Sequence, residues 1–82
     1  MSRSRDVVEV IARELADRAA DISVEEREER DTTYVELSTA GEDLGRMIGR
    51  QGRTAASIRV LAALASESDD RRVVVDFVDE PG

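Results

Sequence analysis

The segment Gly49-Arg50-Gln51-Gly52 lies between two short helical patterns, with Met47 and Ile48 just before it and Arg46, Arg50, Arg53 and Arg59 in and around it. Glycine has no Cβ. Two glycines bracketing a two-residue turn therefore let a ligand's sugar-phosphate chain lie almost against the backbone, with amide N–H groups facing it. Arg50 stands at the tip of the turn, and Gln51 beside it can donate or accept hydrogen bonds. From Leu44 to Ser66 there are four Arg and no Asp or Glu, a formal +4, so a net charge of -7 leaves -11 on the rest of the chain. The Debye length at physiological salt is about 8 Å, so such a basic patch acts almost independently of distant acidic faces.

Two nucleotide signatures compete for these glycines, and both fail at named positions. A dinucleotide fingerprint ending at Gly49 and Gly52 needs glycine where Met47 stands, and a strand rather than a helix before it. A P-loop reading of Gly52-Arg53-Thr54 needs lysine at 53 and glycine at 47. The chain has no cysteine and no histidine, which removes disulfides, thiolate metal sites and the commonest general base. Nucleotide-dependent enzymes are thus disfavoured, and no cofactor is expected. The longest apolar run is the six residues Val60 to Ala65. We therefore expect neither a signal peptide nor a membrane span, and a cytoplasmic location. All twelve basic residues are Arg; codon bias and adaptation to a salty cytoplasm both remain open as origins.

The elements that must position the turn can be read from hydrophobic spacing. With 82 residues, 40% of them hydrophobic, the chain is one small domain with a single modest core. Val8, Ile11, Ala12, Leu15 and Ala19 repeat at helical spacing, and Ser4 with Asp6 behind it supplies an N-cap, so a helix is expected over residues 5–20. Ile22 and Val24 alternate with Ser23 and Glu25 in a strand running to about Glu28. The polar stretch Glu29-Arg30-Asp31-Thr32 connects it to a second strand, Thr33 to Ser38, with Val35 and Leu37 on one face and Tyr34 and Glu36 on the other. Glu42 and Asp43 open a short helix carrying Leu44, Met47 and Ile48, which the glycine turn ends. A longer helix follows from Arg53 to about Ser66, its apolar face made of Ala55, Ile58, Leu61, Ala62 and Ala65. Val73-Val74-Val75 with Phe77 and Val78 form the most β-prone segment. The expected class is α+β in the order αββααβ, one domain over 1–82 with flexible ends at 1–4 and 79–82.

The stretch Met47-Ile48-Gly49-Arg50-Gln51-Gly52-Arg53-Thr54-Ala55 resembles the KH signature, in which an Ile-Gly-x-x-Gly loop joins two helices and holds about four nucleotides of single-stranded RNA by the backbone. The element order resembles the type II form. The chain is little longer than that domain and is similar to the small bacterial single-KH RNA-binding proteins of the KhpA family. The resemblance implies a three-stranded sheet with helices packed on one face, and non-enzymatic binding of single-stranded RNA. Its site would comprise Ile48 as groove wall, Gly49 and Gly52 for close approach, Arg50 and Arg53 on phosphates and Gln51 as a polar contact, with Arg46 and Arg59 nearby. It further implies an RNA chaperone or post-transcriptional regulator linked to cell shape and cell envelope growth. That protein would act as a homodimer, or as a heterodimer with a second KH-containing protein. The chain departs from the pattern in having Arg50 where many KH loops carry lysine, Ala55 where Ile or Val is usual, and acidic surroundings.

Simpler readings stand beside these. Apolar residues at helical spacing usually face inward, which makes Met47, Ile48 and Ile58 core candidates, with Ile48 the one retained for the groove. Gly49 and Gly52 also fit a helix cap and a tight turn, Arg46 and Arg59 fit solvated helix faces, and Glu25, Glu26, Glu28 and Glu29 fit a charged strand edge. Tyr34 and Phe77 are the only aromatics, too few for a module that stacks bases on a sheet. A protein-interaction or dimerisation module with a KH fold, and a single-stranded DNA binder, remain the alternatives.

Overall fold

The computed structural model describes residues 2–79. Their elements run α1 (Arg3–Leu15), β1 (Ser23–Glu29), β2 (Thr32–Thr39), α2 (Glu42–Ile48), α3 (Arg53–Ser66) and β3 (Arg72–Asp79). The sheet order is β1-β2-β3, with β1 antiparallel and β3 parallel to the central strand. Parallel neighbours need a crossover, and α2 and α3 supply it between β2 and β3. The glycine turn is thus the hinge between two crossover helices.

Alternation in β2 decides which face of the sheet is covered. Thr33, Val35, Leu37 and Thr39 are buried and opposite Val73, Val75, Phe77 and Asp79, while exposed Glu36 lies between Glu25 and Asp76 on the other face. The helices pack on the buried face, where Val8 and Ala12 of α1, Met47 of α2, and Ile58 and Ala62 of α3 meet Val24, Val35, Leu37 and Val75. Burying a side chain such as Leu37 contributes about 1.5–3 kcal/mol. This is the type II KH fold, and the expected αββααβ order is observed.

Both ends of α1 differ from the sequence expectation. The N-cap is Ser2, whose Oγ accepts the Arg5 N–H at 3.1 Å, and the helix starts at Arg3, not at residue 5. Ser4, expected as the cap, is a buried helical residue. Residues 2–4, expected as a flexible end, form the cap and the opening turn, and the Ser2 N–H donates to Glu26 Oε1 at 3.0 Å. At the other end the helix stops at Leu15, because the amides of Asp17 and Arg18 donate to the Asp43 carboxylate, each at 3.0 Å, instead of to carbonyls four residues back. A short 3-10 turn, Ala19–Asp21, replaces the expected last helical turn.

Helix α3 has the expected bounds but a narrower buried stripe. Ala55, Ile58 and Ala62 are buried, whereas Leu61, expected on that face, is 46% exposed. Asp79 ends β3, and the remaining C-terminal residues expected to be flexible, 80–82, like Met1, lie outside the described residues.

Candidate nucleic-acid interface

The turn at 49–52 is built from backbone conformations that select its residues. Gly49 ends α2 at φ 74°, ψ 176°, a region essentially restricted to glycine. Its N–H donates to the Gly45 carbonyl at 2.8 Å, which closes the helix. A Cβ at Gly49 would stand 2.2 Å from Thr54 Oγ1 and 2.7 Å from Thr54 Cβ, so this glycine is a packing requirement as well as an open stretch of backbone. Gly52 differs. It lies at φ 75°, ψ 13°, and a Cβ there would meet nothing within 4 Å. Gln51 between them is also left-handed, at φ 57°, ψ 25°.

Helix α3 begins directly after Gly52, with no side-chain cap and no acidic residue in its first turn. The N–H of Gly52 donates to the Gly49 carbonyl at 3.2 Å and that of Arg53 to the Arg50 carbonyl, so what favours an anion here is the positive end of the helix dipole. Arg50 and Arg53, both exposed, make no ion pair or side-chain hydrogen bond among the described residues. The positive end of α3, without a side-chain cap, and two uncommitted guanidinium groups therefore share one turn. Met47 is fully buried and Ile58 is 1% exposed, so both are core, whereas Ile48 remains 37% exposed beside the turn.

The other two candidate arginines are engaged elsewhere. Arg46 reaches back from α2, donating through Nη1 to Asp43 Oδ1 at 2.9 Å and pairing through Nη2 with Asp17 Oδ2 at 2.9 Å. Arg59 crosses from α3 to β3, where its Nε donates to the Val75 carbonyl at 3.2 Å and its guanidinium carbon lies 5.0 Å from the Phe77 ring centroid. The turn thus joins Gly49, Arg50, Gln51, Gly52 and Arg53, with Ile48 adjacent, while Arg46 and Arg59 serve separate contacts.

Asp43 is the residue whose part the sequence reading missed. Its placement in the first turn of α2 reads as a helix-dipole residue, yet the residue is 5% exposed and its carboxylate ties α2 to the segment after α1. The Asp17 and Arg18 amides, then the Arg46 guanidinium, hold its carboxyl below the usual carboxylate range against the opposing effect of burial. No local signal reveals this, because the partners are 25 and 26 residues away.

A type II KH sheet with a glycine turn between its crossover helices defines a KH-domain protein. A family model described as "KhpA/KhpB, KH domain" matches residues 5–77. The chain is 35% identical over 74 residues to RNA-binding protein KhpA of Clostridium perfringens, covering 90% of this chain and 99% of that one. It is 37% identical to RNA-binding protein KhpA of Halalkalibacterium halodurans (92% and 99% covered) and 34% identical to that of Aquifex aeolicus (96% and 100% covered). No solved structure matches. The chain belongs to the KhpA/KhpB KH-domain family. Among the described residues no helix is long and apolar enough to cross a membrane.

Proposed function

We propose that this chain binds single-stranded RNA, without catalysis, by laying the sugar-phosphate backbone across Gly49–Gly52. The observation that carries the reading is the uncommitted pair Arg50 and Arg53 beside the uncapped N-terminus of α3, in a segment free of acidic residues. Gly49 holds the turn against Thr54, Gly52 leaves room for the strand, Gln51 offers a polar contact, and Ile48 forms part of the groove wall. Arg46 keeps α2 in place through Asp17 and Asp43. The relatives' shared name, RNA-binding protein, supports the ligand class. A role as RNA chaperone or post-transcriptional regulator in the cytoplasm, with cell shape and envelope growth downstream, follows from the family resemblance.

We also propose that it acts as a dimer. Val60, Leu61 and Leu64 are 59%, 46% and 56% exposed on one side of α3. Covering them against a second KH-containing chain, of the same or another kind, removes apolar surface from water and brings two weak clamps together.

Fluorescence anisotropy with single-stranded RNA, duplex RNA and single-stranded DNA tests the ligand. Two arginine–phosphate contacts imply that log affinity for single-stranded RNA falls with log salt at a slope of about -1.4. Absence of single-stranded RNA binding at low salt would overturn the reading and leave the exposed face of α3 as the function. Tighter binding to DNA would replace the ligand.

A further inference from the structure

Thr54, the second residue of α3, carries a hydroxyl that the fold leaves unused. Its Oγ1 makes no hydrogen bond among the described residues, although a threonine in a helix commonly donates to a carbonyl three or four residues back. Ser66 on the same helix does so, donating to the Ala63 carbonyl at 2.8 Å. Thr54 is half-buried, yet among the described residues the hydroxyl that is enclosed without a partner is that of Thr39. The Thr54 hydroxyl is therefore open to solvent.

That hydroxyl is fixed beside the glycine turn. A Cβ on Gly49 would stand 2.2 Å from Thr54 Oγ1 and 2.7 Å from Thr54 Cβ, so the threonine fills the space that a side chain at position 49 would take. Its branched side chain has few rotamers on a helix, and the contact with Gly49 narrows them further. A strand laid on the backbone from Gly49 to Gly52 thus passes a hydroxyl whose position is set before binding. Arg50 and Arg53 offer something different. A guanidinium only donates, and on a phosphate it treats ribose and deoxyribose alike. Thr54 Oγ1 both donates and accepts, which matches a sugar hydroxyl and exceeds what a phosphate, an acceptor alone, can use.

We propose that Thr54 reads the sugar: its hydroxyl exchanges a hydrogen bond with a ribose 2′-OH of the strand on the turn, and so favours RNA over DNA. This rests on the single-stranded RNA reading. The 2′-OH is the group by which a site tells the two sugars apart, whereas the rest of the turn clamps a phosphate backbone that both share. Thr54 is thus a specificity residue, and the phosphate contacts stay with Arg50 and Arg53.

The test measures wild type, Thr54→Ser, Thr54→Val and Thr54→Ala against two strands of equal length and the same base, oligouridylate and oligodeoxyuridylate, each at several salt concentrations. Thermal melts by circular dichroism come first, so that every titration runs on folded protein. Thr54→Val keeps the branched shape but sets a methyl against Gly49; should it unfold, Thr54→Ala, with nothing beyond Cβ, gives the same comparison. Wild type should bind the ribose strand about 2- to 12-fold more tightly, the range of one neutral hydrogen bond. Thr54→Ser should keep that ratio, while Thr54→Val and Thr54→Ala should bring it to about 1 with unchanged salt slopes. If the hydroxyl instead contacts phosphate, Thr54→Val and Thr54→Ala weaken both strands equally. If it only packs against Gly49, these variants melt earlier while the ratio persists. Either result overturns the sugar reading. A wild type that binds the deoxyribose strand as well as the ribose strand removes the sugar contact and keeps the clamp, and one that binds neither removes both.

Discussion

Substituting each glycine of the turn separates packing from ligand access. Alanine at Gly49 inherits a φ of 74° with ψ 176° and places its Cβ 2.2 Å from Thr54 Oγ1 and 3.0 Å from the Thr54 amide nitrogen. The backbone conformation costs about 1–3 kcal/mol and the overpacking a further 1–3 kcal/mol, roughly 2–6 kcal/mol together. A domain of this size has a total stability of about 4–12 kcal/mol, and each lost kcal/mol lowers Tm by about 4–8 °C. Gly49→Ala should therefore melt at least about 8 °C below wild type. Gly52→Ala meets no atom within 4 Å, and only its left-handed backbone is strained, at about 1–2 kcal/mol. Gly52→Asp is gentler still, because aspartate tolerates that region and its charge suits a helix N-terminus. That same charge opposes a bound strand. At about 6 Å from a phosphate it costs about 0.7 kcal/mol in water and 2.8 kcal/mol at an effective dielectric of about 20, which is about 3- to 100-fold in affinity. Melting curves followed by RNA titration well below the lowest Tm read both effects. If Gly52→Ala destabilises as much as Gly49→Ala, the assignment of packing to Gly49 is wrong. If Gly52→Asp binds like Gly52→Ala, the start of α3 does not face the phosphates.

Three further outcomes follow from the structure. The Asp43 carboxyl is held below its unfolded pKa of about 3.9, so its contribution is present above that value and is lost as pH falls through the lower folded value; Asp43→Ala should melt earlier at pH 7 and show a flatter decline in acid than wild type. Thr39 is 1% exposed and its Oγ1 has no hydrogen-bond partner among the described residues, so Thr39→Val should raise stability by about 1 kcal/mol in chemical denaturation, whereas a loss would reveal a partner for the hydroxyl. Leu64→Asp, on the exposed side of α3, should convert a dimer to a monomer in sedimentation analysis without lowering Tm of the monomer; an unchanged mass would exclude this face as the interface.

Much of this fold was legible because its signals are local. Alternation in Thr33 to Ser38 gave the buried face of β2, the helical period from Arg53 gave α3 with its bounds, and the two glycines located the turn. The end of α1 was illegible for a physical reason. The apolar spacing from Val8 to Ala19 continues past Leu15, but Asp43, distant in sequence, captures the amides that another helical turn would use. The same limit applied to the arginines. Charge near a glycine turn reads as phosphate-binding, yet the directions of Arg46 and Arg59 depend on Asp17, Asp43, Val75 and Phe77, which only folding brings near. Spacing also failed to separate Leu61 from Ile58, since both fall on a broad apolar arc of which the neighbouring elements cover only part.

The central claim, that the turn from Gly49 to Gly52 is the RNA site, is tested most directly by the double change Arg50→Asp and Gln51→Asp. Both positions are exposed, and Gln51 has the left-handed conformation that aspartate tolerates, so the fold should persist with a change of about 0.5 kcal/mol or less per site. Affinity for single-stranded RNA should collapse at low salt, and the residual salt slope should shrink from about -1.4 to about -0.7, the remaining contribution of Arg53. A folded double variant that binds single-stranded RNA with wild-type affinity and an unchanged slope would contradict the account and move the site away from the turn.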